Sequence, residues 1–220
     1  MKTFLTLDVV GVALALVIGL LILFFGGVEG SYMLLVILVF LVASALVTRV
    51  GLKRKLAMNN YELVRGWKNV LANGIVPLVI AFIIFLNSNF GFISQRLLLV
   101  AYVAGVAAIT ADKFSSEIGI FDNAVIMLVS FKKVRPGKSG GISRLGVLSG
   151  VFGAFVIAIS LFSFSNFSLL LVVVVVSGVF GDFVDSFFGY FEERAMGNKY
   201  TSNILCAVAG AALGFLLILF

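Results

Sequence analysis

Apolar residues along this chain fall into seven long runs separated by short polar stretches. A membrane-spanning helix needs about 20 consecutive, mostly apolar residues. The runs cover 7–25, 32–48, 69–86, 97–111, 145–162, 169–183 and 203–220. The fourth and sixth are short, and each runs into carboxylates. Seven such helices take up about 140 positions. That leaves loops and two longer polar segments, so residues 1–220 read as a single transmembrane domain. The predicted fold is all-α: a polytopic membrane protein of about seven spans with polar loops on the cytoplasmic side. An eighth apolar run, 124–131, is too short to cross and predicts a re-entrant or interfacial piece.

Composition supports this pattern. Apolar residues make up 62% of the chain and charged residues 12%, with a mean hydropathy of +1.22. A soluble domain of this size could not clothe itself in water-compatible side chains, so a soluble enzyme is excluded. Disorder, collagen-like repeats and nucleic-acid binding are excluded with it. The first run reads as a retained span, because Asp8 opens it and 26–30 offers no small-residue cleavage site.

Charge then orients the spans. With the N-terminus inside, Lys2, six cations in 49–68, six in 112–144, Arg194 and Lys199 all fall on the cytoplasmic side. Only Arg96 falls outside, so the net charge of +6 is mostly topology. The C-terminus falls outside. Apart from Glu29, the acids from Asp112 onward gather at the same face as the cations. That face, at a cell membrane, is where chemistry is expected. The chain has no His, so imidazole catalysis and His metal sites are absent. The one Cys, Cys206, lies in the last apolar run and reads as a packing residue.

Four polar segments stand out. In 111–119, Asp112 and Glu117 close the fourth run, and carboxylates at a membrane boundary need a partner, water or a cation. On a continuous helix they would lie about 140° apart. Facing one metal therefore requires the helix to break near Ser115 and Ser116. In 132–144, Lys132, Lys133, Arg135, Lys138 and Arg144 alternate with Gly137, Gly140 and Gly141 and with Ser139 and Ser143. Such a segment can turn backbone N–H groups and cations toward phosphates, and the following helix N-terminus adds its dipole. A Walker A loop is rejected, because Lys132 stands where that motif needs Gly. In 181–189, Asp182 and Asp185 lie about 60° apart on one helix face, next to Ser186. In 65–74, Arg65, Asn69 and Asn73 recur every four residues as a polar stripe, and Asn203 can join the same cavity.

Taken in order, these segments resemble the phytyl-phosphate kinase family of plants and its microbial and animal relatives. The residues that carry the resemblance are G-W-K-N-V-L-A-N-G at 66–74, A-D-K-F-S-S-E-I-G at 111–119, the run 132–143, and G-D-F-V-D-S-F-F-G at 181–189. Lys113 and Lys138 stand where that family usually has Thr, and Asp182 where it usually has Ser. The resemblance implies Mg²⁺-dependent phosphoryl transfer from CTP, or another nucleoside triphosphate, to an isoprenoid monophosphate. It implies Mg²⁺ on Asp112, Glu117, Asp182 and Asp185. Nucleotide phosphates would lie on Lys132, Lys133, Gly137, Lys138, Ser139, Gly140, Gly141 and Ser143, with Lys133 among the catalytic residues beside Asp112, Glu117 and Asp185. The acceptor would meet Asn69, Asn73, Ser186 and Asn203. Hard oxygen ligands favour Mg²⁺. A phosphate acceptor is already largely ionised near neutral pH, so no His base is required. A membrane cytidylyltransferase and a small ion- or proton-coupled transporter are the competing readings, and a homo-oligomer is compatible with all three.

Overall fold

The computed structural model describes residues 6–57, 64–162 and 166–219. Seven long helices and one short one carry nearly all of the structure. They are α1 (Val9–Phe25), α2 (Gly30–Arg49), α3 (Leu52–Leu56), α4 (Trp67–Phe90), α5 (Gln95–Gly119), α6 (Arg144–Ala158), α7 (Phe167–Glu192) and α8 (Lys199–Leu219). A turn of 3₁₀ helix, Ile159–Leu161, extends α6. Six of the helical segments are long and apolar enough to cross a membrane, and α1 is a shorter apolar helix of 17 residues.

α5 is the central post of the bundle. Every residue from Leu98 to Ala111 is buried, and α2, α4, α6, α7 and α8 all pack on it. Small residues make this possible. A Cβ on Gly181 of α7 or on Gly210 of α8 would come 2.5 Å from the Ala108 Cβ of α5. Without a hydrophobic drive between helices in lipid, such close backbone approach is what holds spans together. Cys206 is fully buried in the same layer, a packing residue as expected. The outer faces of α2, α6 and α7 expose Leu38, Phe152, Leu169 and Val172, as a lipid-facing surface requires.

Two expectations are corrected. The fourth and sixth spans are not short: α5 runs 25 residues and α7 runs 26, so their carboxylates sit inside continuous helices. The break near Ser115 and Ser116 does not occur, and Lys113 and Glu117 pair across one helical turn there. The run 124–131, expected as a re-entrant or interfacial piece, is a short ribbon and turn rather than a helix. Ile126–Met127 (β1) pairs antiparallel with Gly141–Ile142 (β2), and Lys133 bridges to Ile126 on its other side. Backbone groups that a short apolar run could not satisfy in lipid are satisfied by this small ribbon.

α1 and α2 form a V. Their turn is tight: Gly27 adopts a positive φ of 56°, and a Cβ on Gly30 would come 2.1 Å from the Leu23 carbonyl oxygen. Only a residue without a Cβ fits that approach. At the other end the two helices splay, and the space between them opens onto α4 and α5.

Candidate functional site

At the basic face, Glu117 is buried at the centre of three cations. Lys55 Nζ of α3 donates to its Oε2 at 2.8 Å, Arg65 Nη2 donates to its Oε1 at 3.0 Å, and Lys113 Nζ also donates to Oε1. Thr48 adds its hydroxyl at 3.2 Å. Lys55, itself fully buried, also donates to the Val47 and Thr48 carbonyl oxygens at the end of α2. Arg65 is fixed from the other direction by a parallel bridge: its N–H donates to the Thr6 carbonyl at 2.8 Å, and Asp8 N–H donates to its carbonyl at 3.2 Å. Asp8 in turn caps α1, accepting from Gly11 N–H at 2.6 Å.

One carboxylate thus ties α2, α3, the 64–66 segment and α5 together. Its position is incompatible with sharing a metal with Asp112, which faces another direction on the unbroken helix. The four-acid set of Asp112, Glu117, Asp182 and Asp185 therefore does not assemble. Among the described residues, no three acids or thiols converge where a metal could sit between them.

Asp112 and Asp185 do meet. Their side chains are within hydrogen-bonding reach of each other across α5 and α7. Asp185 Oδ1 is buried without a hydrogen-bond partner. Asp182 lies one turn earlier, hydrogen-bonded to Ser115 and seated over Gly150 of α6, where a Cβ would come 2.9 Å from its Oδ2. Two facing carboxylates with an unsatisfied oxygen suit a cation. Mg²⁺ is commonly held by one or two carboxylates completed by phosphate oxygens and water. The pair fits that requirement, with Asp182 as a neighbour and Glu117 excluded.

A cavity of about 560 Å³ opens beside this pair. Its polar end is lined by Arg65, Lys113, Lys199, Asn69, Asn73 and Asn203, with Asp112 and Asp185. The three Asn form a chain: Asn73 Nδ2 donates to Asn69 Oδ1 at 3.1 Å, and Asn203 Nδ2 donates to Asn73 Oδ1 at 3.4 Å. Asn69 Nδ2 and Arg65 Nε are buried donors without a partner. Buried donors are rarely left unmet, so two of them beside an unmet acceptor point to a polar ligand. Arg65 lies just before α4, which Gly66 caps, so the stripe predicted with Asn69 and Asn73 is completed by the cavity rather than by one helix. Asn203 sits inside α8, beyond the capping position. Ser186, next to Asp185, does not line the cavity; its carbonyl packs against Gly140.

The Gly-rich segment folds as a compact loop against the end of α7. Gly137 and Gly140 have positive φ values of 84° and 77°. A Cβ on Gly140 would come 2.6 Å from the Tyr190 nitrogen, so the loop and helix touch backbone to backbone. Ser139 Oγ donates to Glu192 at 2.8 Å, its N–H to Glu193 at 3.3 Å, and Lys138 pairs with Glu193 at 3.5 Å. Lys132, Lys133, Arg135, Lys138 and Arg144 are exposed. Gly141 belongs to β2, and Ser143 caps α6, accepting from Gly146 N–H at 3.0 Å. Asp122 takes another N–H of that terminus, Leu145, at 3.2 Å. The α6 N-terminus predicted to receive a phosphate is therefore already served by Ser143 and Asp122.

Residues 3–214 match the family described as integral membrane protein DUF92. The chain belongs to that family. As a DUF92 protein it is also similar to the uncharacterized membrane protein MJ0933 of Methanocaldococcus jannaschii, at 34% identity over 215 residues. That alignment covers 96% of this chain and 85% of the archaeal one. No solved structure matches this DUF92 chain.

Sequence reasoning missed the roles of Lys55, Arg65, Lys113 and Glu192. Lys55 and Glu117 are 62 positions apart, so only the fold brings them together. The Lys113–Glu117 spacing of four was the available signal that α5 continues.

Proposed function

We propose that this chain is a membrane-embedded kinase that transfers a phosphoryl group from CTP to an isoprenoid monophosphate, with Mg²⁺. The observation that carries the reading is the cavity beside the Asp112–Asp185 pair. It joins an apolar channel between α1 and α2 to a head region bearing Arg65, Lys113, Lys199 and unpaired amide and guanidinium donors. An amphiphile with an anionic head satisfies both ends at once, and a cation between that anion and the Asp112–Asp185 pair balances the charge.

Phosphoryl transfer needs little covalent help from protein, and depends on positioning and charge neutralisation. The acceptor phosphate arrives ionised, so no side chain has to remove a proton. Arg65, Lys113 and the Asn chain orient that phosphate. Asp112 and Asp185 would hold Mg²⁺, which supplies neutralisation of the phosphoryl oxygens. The loop 132–141 brings Lys132, Lys133, Lys138 and Ser139 for the nucleotide phosphates; a polyphosphate there competes with Glu192 and Glu193 for the same donors. In this reading the basic face and the N-terminus are cytoplasmic, as the positive-inside bias requires, with the C-terminus opposite.

Asp185→Asn removes the charge and keeps the shape. CTP-dependent conversion of geranylgeranyl monophosphate by the purified protein should fall by more than about a hundredfold, the scale of losing a charge-stabilising group. Undiminished conversion in a variant that still elutes as a single species removes the metal role.

A further inference from the structure

The channel has a floor. The α1 residues lining it run from Val12 to Leu20, and the α2 residues from Ser44 up to Leu34. At 1.5 Å per residue, the α1 stretch is about 12 Å long and the α2 stretch about 15 Å. Beyond it the V closes: the Cβ position of Gly19 lies 3.3 Å from Leu34 Cδ1, and farther on Gly30 abuts the Leu23 carbonyl. Ile18 seals the back wall, its Cδ1 lying 2.9 Å from the Cβ position of Gly74 on α4. The walls Val12, Leu16, Ile37 and Leu41 are apolar, and Leu16, Leu20 and Leu38 are exposed at the outer mouth, where lipid lies.

We infer that this channel takes one hydrocarbon chain of a lipid monophosphate from the bilayer, and that Gly19 with Leu34 sets the longest chain accepted. Charge complementarity names the occupant. Among the described residues, the charged lining gathers at one end, where the cations Arg65, Lys113 and Lys199 outnumber the carboxylates Asp112 and Asp185, so an anionic head with an uncharged remainder fits it best. The slot runs between α1 and α2 with α4 and α5 behind it, and narrows at Gly19 and Leu34, which suits one chain rather than two. Its length of about 12–15 Å is close to one leaflet of a hydrocarbon core about 30 Å thick. A long chain therefore reaches the Gly19–Leu34 contact while a short one stops before it. The assignment rests on the lipid-phosphate reading of the site, and chain-length selection is additional to it.

Binding without nucleotide tests this separately from catalysis. Retention of radiolabelled geranyl, farnesyl and geranylgeranyl monophosphates is measured on the purified, detergent-solubilised protein. Gly19→Leu fills the floor and should weaken geranylgeranyl phosphate at least tenfold, with geranyl phosphate unchanged. Leu34→Ala opens the floor and should shift preference toward a longer prenyl phosphate. If Gly19→Leu does not fold, Leu34→Ala decides alone. The same chain-length profile in wild type and Leu34→Ala overturns the inference. Chain-length-dependent binding without CTP-dependent turnover overturns the kinase reading and leaves the channel standing. Turnover with no response to either substitution does the reverse.

Discussion

Glu117 holds the basic face together. It is a single buried carboxylate among Lys55, Arg65 and Lys113, and the last two of these cations also line the cavity. Removing one member of a buried ion pair strands the others in a poorly solvated place, at a cost of about 3–5 kcal/mol. Glu117→Ala should therefore lower the thermal midpoint of the detergent-solubilised protein sharply, measured by the unfolding transition in a fixed detergent. Asp185→Asn removes a carboxylate that has no ion pair among the described residues, and should leave that midpoint near wild type. An unchanged midpoint for Glu117→Ala would mean the cluster is not structural. Asp185 was legible from sequence, because an acid among Phe183, Val184, Phe187 and Phe188 at the end of an apolar run demands an explanation. Glu117 was not, because its partners arrive from α3 and the 64–66 segment.

At the scale of elements, the segment between α5 and α6 is the part whose fold departed furthest from expectation. The apolar run 124–131, too short to span, is built as a ribbon in which β1 pairs with β2 and with Lys133. Gly137 and Gly140 give the chain its turns, and Gly140 packs against α7. Asp122 staples the start of this segment to α6, accepting from Ala124 N–H at 2.9 Å and from Leu145 N–H. These backbone donors hold its carboxyl below the usual range, the Ala124 N–H contributing most. A depressed carboxyl stabilises the fold above its unfolded value, about 3.9 for Asp, and loses that contribution as pH falls through the lower folded value. Amide hydrogen exchange in 120–146, taken relative to the intrinsic rate at each pH, should therefore stay slow near neutral pH and accelerate in strong acid. In Asp122→Ala it should already be fast at neutral pH. Equal protection in wild type and variant would remove the staple.

At the scale of the molecule, the apolar pattern revealed the spans but not their arrangement. Burial of every residue from Leu98 to Ala111 makes α5 the centre, and the Ala and Gly content of 101–111 was its only trace in the sequence. Nothing along the chain showed that α1 and α2 would splay, because the V depends on contacts at Gly19 and Gly30 that need three dimensions. That splay puts a lipid-sized channel beside the Asp112–Asp185 pair, and turns scattered polar residues into one site. The measurement that bears most directly on this account is product analysis with purified protein, CTP, Mg²⁺ and geranylgeranyl monophosphate. The account predicts CDP and geranylgeranyl diphosphate in equal amounts, dependent on Mg²⁺. Pyrophosphate with a CDP-lipid, or no nucleotide consumption alongside ion flux in liposomes, would contradict it.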